Sequence, residues 1–148
     1  MLTLKDVLIE AGEIDKYFGN TAPVNLWRAR KLNKKQIGLF DLVEEDQVRN
    51  GNIRPADVTI EDGIVKVKNR PRGASTFDKP DVFNRGNWEY YKIPQNMQLP
   101  EGLVIVKDKY NKSLGATHYT IAPKNDMPIQ QFRSLLNQLA AKLEVGAA

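Results

Sequence analysis

Two short runs in this chain carry side chains able to do chemistry. Gly73-Ala74-Ser75-Thr76-Phe77-Asp78 sets a pair of hydroxyls after a glycine, and Gly115-Ala116-Thr117-His118-Tyr119-Thr120-Ile121 holds the only histidine. An imidazole changes its charge near neutral pH and can take or give a proton there. Hydroxyls can hydrogen-bond a ligand, and glycine lets a backbone or a ligand approach closely. A third element, Leu26-Trp27-Arg28-Ala29-Arg30, offers a guanidinium suited to gripping a phosphate through two parallel hydrogen bonds. Together Arg28, Ser75, Thr76 and His118 predict a cleft. Each also has a plainer reading: Arg28 as a solvated edge cation, the hydroxyls as helix caps, and His118 as a structural histidine.

Composition narrows the chemistry. The 148 residues predict one domain over 1–148, long enough to bury a sizeable core. Without cysteine there is no disulfide, no thiolate metal site and no cysteine nucleophile, and one histidine argues against a zinc centre built on several. A loosely held magnesium ion stays compatible. The formal charge of +4 suits a polyanionic partner, whether RNA, a dinucleotide or an acidic protein. Neither a signal-peptide pattern nor an apolar run of about 20 residues is seen. The expectation is a cytoplasmic protein, with any export using a route that does not read such a signal.

The elements that must position these groups follow from periodicity. An amphipathic helix is predicted over 3–18, with Thr3 as its cap and Leu4, Val7, Ala11, Ile14 and Phe18 on one stripe. Residues 26–30 read as a short strand, followed by the basic run Lys31, Lys34 and Lys35. A short helix is expected within 37–50, ended by Asn50-Gly51, and then a hairpin of 58–60 against 64–67 turning at Asp62-Gly63. Residues 73–78 are either a helix cap or a small-residue strand on a cleft floor, where Phe77 packs or stacks. Residues 88–93 form a strand, 103–106 a strand at the sheet centre, and 110–113 a polar turn. In the strand over 117–122 a period of two puts Tyr119 and Ile121 on the core face and His118 outward. The chain closes with an amphipathic helix capped by Asp126 or Met127, its stripe running through Ile129, Phe132, Leu135, Leu136, Leu139 and Leu143.

The run from Ile93-Pro94 to Ala122-Pro123, with Ala116-Thr117-His118-Tyr119-Thr120-Ile121 its most specific part, is similar to a known family. So are the 73–78 segment and the Leu26-Trp27-Arg28-Ala29 strand. The family is that of small, NAD-dependent cytotoxic effectors of bacterial type VI secretion, which resemble ADP-ribosyltransferase toxins. The resemblance implies an α+β fold of split mixed or antiparallel sheets around an NAD cleft, with flanking N- and C-terminal helices. It implies catalytic roles for His118, Ser75 and Thr76, and NAD contacts from Arg28 and from Phe77 or Tyr119. It further implies an unknown ADP-ribose acceptor, a cognate acidic immunity protein, and action in the target-cell cytoplasm with no membrane partner. The better-known transferases of this fold use a late glutamate beside the ribose. After Ile121 this chain has only Asp126 and Glu144, neither on a predicted strand.

Two other readings compete. A metal-independent toxin ribonuclease would use His118 as general base with Arg28 and Arg72 on the phosphate, so nucleic acid stays open as a partner. A basic binding module would leave His118 without chemistry.

Overall fold

Alternating side chains send successive residues of a strand to opposite faces of a sheet, and most of this chain is built on that period. The computed structural model describes residues 2–32, 38–83 and 86–147. Helix α1 (Leu4–Glu10) is followed by a 3-10 turn (Ile14–Lys16) and ten strands. The strands are β1 (Leu26–Lys31), β2 (Gln47–Arg49), β3 (Asn52–Arg54), β4 (Ile60–Glu61), β5 (Ile64–Val65), β6 (Ala74–Phe77), β7 (Trp88–Ile93), β8 (Leu103–Asn111), β9 (Ala116–Pro123) and β10 (Met127–Pro128). Helix α2 (Ile129–Ala147) closes the chain. The principal sheet has the order β7-β1-β6-β9-β8 with every neighbour antiparallel. This is the α+β arrangement of antiparallel sheets between two helices that the sequence leads one to expect.

Each face of the sheet has its own cover. Leu26, Ala74, Ile93, Leu103, Ile105 and Ile121 are buried on one face against Phe132, Leu136, Leu139 and Leu143 of α2. On the other face Val104, Val106 and Ala122 pack against Leu4 and Leu8 of α1, with Val67 beside them. Helix α1 thus covers the part of this face made by Val104, Val106 and Ala122, and a cleft opens beside it over β6, β9 and the later part of β8.

Several expectations change in detail, each for a local reason. The helix expected over 3–18 ends at Glu10. Thr3 does cap it, in a box in which Asp6 N–H donates to the Thr3 hydroxyl and Thr3 N–H donates to the Asp6 carboxylate. Gly12, at φ +73, then turns the chain away, so Ile14 and Phe18 end up 41% and 38% exposed rather than on a buried stripe.

The strand over 103–106 is the outermost of the sheet, not its centre. Its side chains are buried on both faces by the two helices, and its free edge is covered by residues 17–19. There Ile105 exchanges hydrogen bonds of 2.7 and 3.0 Å with Gly19 and Phe18.

Of the helix expected within 37–50, residue 37 lies outside the described residues, as do Lys34 and Lys35. Residues 38–46 are not helical, and Asn50-Gly51, both at positive φ, is the turn of the β2–β3 hairpin. The hairpin turning at Asp62-Gly63 forms as expected, and β10 pairs with its second strand. Asp126, read as a helix cap, instead accepts from Val67 N–H at 2.8 Å.

Strands β1 and β6 share a single pair, Trp27 with Phe77, and then diverge. Arg28 bridges the opening. Its Nη1 donates to the Ser75 carbonyl at 2.9 Å, Nε to the Leu39 carbonyl at 2.9 Å, and Nη2 more weakly to the Asp41 carbonyl at 3.5 Å. The Phe40 ring lies 5.4 Å below the guanidinium. Next along β6, Gly73 lies so close to β9 that a Cβ there would sit 2.0 Å from the Ile121 carbonyl oxygen.

Two outcomes follow. Gly73→Ala should lower the unfolding free energy by about 3 kcal/mol, because the obstacle is backbone and cannot rotate away; an unchanged urea midpoint would contradict this contact. Arg28→Met should cost about 3 kcal/mol by leaving carbonyls without their charged donor. Arg28→Lys should recover only part of that, since an ammonium lacks the planar fork. Equilibrium unfolding of the three variants reads both effects.

Candidate functional site

Strand register decides which of the expected residues can meet. Phe77 lies opposite His118, Ser75 opposite Thr120, Thr76 opposite Tyr119, and Ala74 opposite Ile121. Side chains opposite one another share a face, so Ser75, Phe77, His118 and Thr120 share the open face of the sheet. Thr76 and Tyr119 share the α2 face. Trp27 pairs with Phe77 and is on the open face, so its neighbour Arg28 is on the α2 face. The structure therefore brings together His118, Ser75 and Phe77, and does not bring Thr76, Tyr119 or Arg28 to the same side.

The three residues on the far face have evident structural partners. The fully buried Thr76 hydroxyl donates to the Tyr119 carbonyl at 3.0 Å, which ties β6 to β9 at the residue after His118. Tyr119 is buried beside Phe18, and burial raises the pKa of its phenol. Arg28 is committed to carbonyl oxygens. Burial lowers its pKa to about 10, opposed in part by Asp57 and Asp41, so it stays a cation at neutral pH.

On the open face, a cleft of about 540 Å³ is lined by His118, Ser75, Thr120, Asp108, Arg70 and Lys107, among others. Ser75 and His118 stand diagonally across β6 and β9, about 7–8 Å apart by strand geometry. The Ser75 hydroxyl makes no hydrogen bond with a described residue, and neither Arg70, Lys107 nor Lys109 is paired with one. Arg72, also on the rim, donates to the Ala56 carbonyl, and Lys16 pairs with Glu13 at 2.8 Å. The free cations of the cleft come from the 69–73 turn and from β8. The ribonuclease alternative needed Arg28 and Arg72 at one phosphate, but Arg28 is across the sheet and Arg72 already holds a carbonyl.

The imidazole is held by a carboxylate that sequence reasoning passed over. Asp108 Oδ2 lies 2.9 Å from His118 Nδ1. Register explains how they meet: Lys107 pairs with Tyr119 and Tyr110 with Thr117, so Asp108 and Lys109 together face the single residue His118. This is a β-bulge, which bends a strand and re-aims a side chain. It keeps Asp108 on the face shared by Val104 and Val106. The signal was present in the alternation Val104, Val106, Asp108, but ending the strand at Val106 hid it. With Nδ1–H donated to Asp108, the lone pair sits on Nε2, the ring atom left for a ligand. The Phe77 ring, centred 5.3 Å from the imidazole, fixes its other side. Such a site can bind an anion, hold a hydroxyl and accept a proton.

Comparison with known proteins agrees with this architecture. A 55-residue stretch is 42% identical to Toxin Tse2 of Pseudomonas aeruginosa, covering 37% of this chain and 34% of that toxin. The stretch thus spans about a third of that relative's length. Residues 7–147 match the Tse2 ADP-ribosyltransferase toxin family. With nearly its whole length matched, the chain belongs to the Tse2 ADP-ribosyltransferase toxin family.

Proposed function

We propose that this protein is a cytotoxic effector that cleaves the nicotinamide–ribose bond of NAD and transfers ADP-ribose to an acceptor, with His118 and Ser75 at the reacting end. The observation that carries the reading is the His118–Asp108 pair, set in a cleft where Arg70, Lys107 and Lys109 have no partner among the described residues. Family membership supplies the class of reaction; the cleft supplies groups that fit it.

Arg70, with Lys107, would meet the pyrophosphate, where cations without protein partners offset its charge. The Ser75 hydroxyl would hold the nicotinamide ribose, and the Phe77 ring edge would flank the nicotinamide. His118 Nε2 would accept a hydrogen bond or proton from a ribose or acceptor hydroxyl. Asp108, 2.9 Å behind it, orients the ring and balances the positive charge an added proton brings. As a carboxylate beside the site, Asp108 also offers the electrostatic stabilisation that a late glutamate gives in related transferases, though through the histidine. Thr76, Tyr119 and Arg28 act from the other face as positioning residues.

The toxin reading also bears on where the protein works. Among the described residues no helix is long and apolar enough to cross a membrane. Delivery by a type VI apparatus into the target-cell cytoplasm fits the family, and a cognate immunity protein would protect the producer. A charge of +4 favours an acidic immunity protein, because opposite charge speeds association.

The test is nicotinamide release from NAD by purified protein, alongside toxicity on induction. His118→Ala should lower release about a hundredfold or more with the fold intact by circular dichroism. Asp108→Asn should lower kcat with little change in KM, as a positioning role requires. Ser75→Ala should mainly raise KM. Thr76→Val should act chiefly on stability, by about 1 kcal/mol. Full release by folded His118→Ala would overturn the assignment.

A further inference from the structure

His118 borders a second hollow. On the side facing the β8–β9 turn, a space of about 450 Å³ is lined by Phe77, Asp108, Lys109, Tyr110, Asn111 and Lys112. Tyr110, opposite Thr117 and so on the α2 face of β8, reaches the hollow only at its rim and is 61% exposed. Lys109 and Lys112 are paired with no described residue. The imidazole therefore stands between two basic hollows: one carries the arginine and the free serine hydroxyl, the other the exposed aromatic.

The second hollow opens onto a row of rings and cations. The Phe77 ring is 5.8 Å from Phe83, edge to face, and Phe83 stacks on Trp88 at 4.6 Å. Lys31 lies over the Trp88 ring at 5.5 Å and Lys92 over the Trp27 ring at 5.7 Å. The β1–β7 register pairs Trp27 with Lys92 and Lys31 with Trp88, so the same face carries a tryptophan–lysine pair at each end of that ladder. Helix α1 packs at the other end of this face.

Aromatic side chains interleaved with lysines on an open sheet suit a single-stranded nucleic acid. Its bases stack on rings regardless of sequence, and its phosphates meet the cations. An acidic protein could meet the lysines too, but rings and cations alternating along one face match the alternation of bases and phosphates along a single strand. We propose that this row binds single-stranded nucleic acid and that the second hollow seats the nucleotide accepting ADP-ribose. The second half of this rests on the transferase reading given above. In that step a hydroxyl or ring nitrogen of the nucleotide bonds to C1′ of the nicotinamide ribose of NAD. The C1′–N bond breaks with its electron pair leaving on nicotinamide, and the acceptor's proton passes to His118 Nε2 and then to solvent.

Binding is tested by anisotropy of a fluorescein-labelled oligouridylate of roughly 12 nucleotides, with the matching DNA as a second arm. Tyr110→Ala should weaken binding about tenfold, and Lys112→Ala should reduce the salt dependence of log affinity by about 0.7. Thermal unfolding confirms that both variants fold. Absence of binding, or affinity untouched by Tyr110→Ala, overturns the binding site. The acceptor is tested by incubating protein, NAD and the same oligonucleotides, reading nicotinamide release and the mass of the nucleic acid together. Added ADP-ribose on RNA or DNA supports the proposal and names the strand. Released nicotinamide with ADP-ribose only free or on protein overturns the acceptor while the transferase reading stands. No release at all overturns the transferase reading and the acceptor with it, and anisotropy still decides the binding row.

Discussion

The guanidinium of Arg28 sits where the sheet comes apart. Beyond the single Trp27–Phe77 pair the backbones of β1 and β6 separate, and an opened ladder leaves polar groups without strand partners. A charged donor fork satisfies the Ser75 carbonyl from one side and two loop carbonyls from the other, so the opening is held at a fixed width. Burying the charge is tolerable because it meets carbonyls, the Phe40 ring, and the nearby Asp41 and Asp57. Ser75 is presented to the cleft by the strand whose carbonyl Arg28 holds. An arginine at this position shapes the site without lining it.

A second constraint sets the chemistry of the opposite wall. A regular hairpin would put one β8 residue opposite His118. The bulge puts two there, Asp108 on the cleft face and Lys109 beside it, so one irregularity delivers both a carboxylate to the ring and a cation to the rim. A strand-borne carboxylate later in the chain is therefore not required for a negative group to reach the site. It arrives from the preceding strand, through the imidazole.

Much of this was legible in the sequence, and the failures have physical causes. Period-two alternation correctly sent His118 outward and Tyr119 and Ile121 inward, although Thr120 and Ala122 on the other face are buried as well. The α2 stripe was equally clear, since Phe132, Leu136, Leu139 and Leu143 recur at helical spacing over a long element. Strand β8 was misplaced because a strand buried on both faces looks central whether or not another strand flanks it. Only the edge cover from residues 17–19 tells the difference, and it is a tertiary fact. Asn50-Gly51 ends helices and turns hairpins alike; the exposed pairing of Val48 with Ile53 leaves too little buried surface to mark it as a ribbon. Arg70 and Asp108 escaped notice because a turn and a bulge, not a periodic pattern, bring them to the cleft.

The paired hydroxyls show how one local choice governs the reading of the whole site. Had residues 73–78 been a turn or a helix cap, Ser75 and Thr76 could both have faced a ligand. As consecutive residues of a strand they cannot, and the register assigns them opposite duties. The Ser75 hydroxyl faces the cleft with no hydrogen bond to a described residue, while the Thr76 hydroxyl donates a hydrogen bond to the Tyr119 carbonyl at 3.0 Å. That bond fixes the β9 backbone beside His118. Gly73 completes the arrangement by letting β6 lie against the Ile121 carbonyl more closely than any side chain would permit. The hydroxyl pair is thus one unit with two ends, one facing the cleft and the other holding the frame, and the tolerance of the site to substitution should differ across it for that reason.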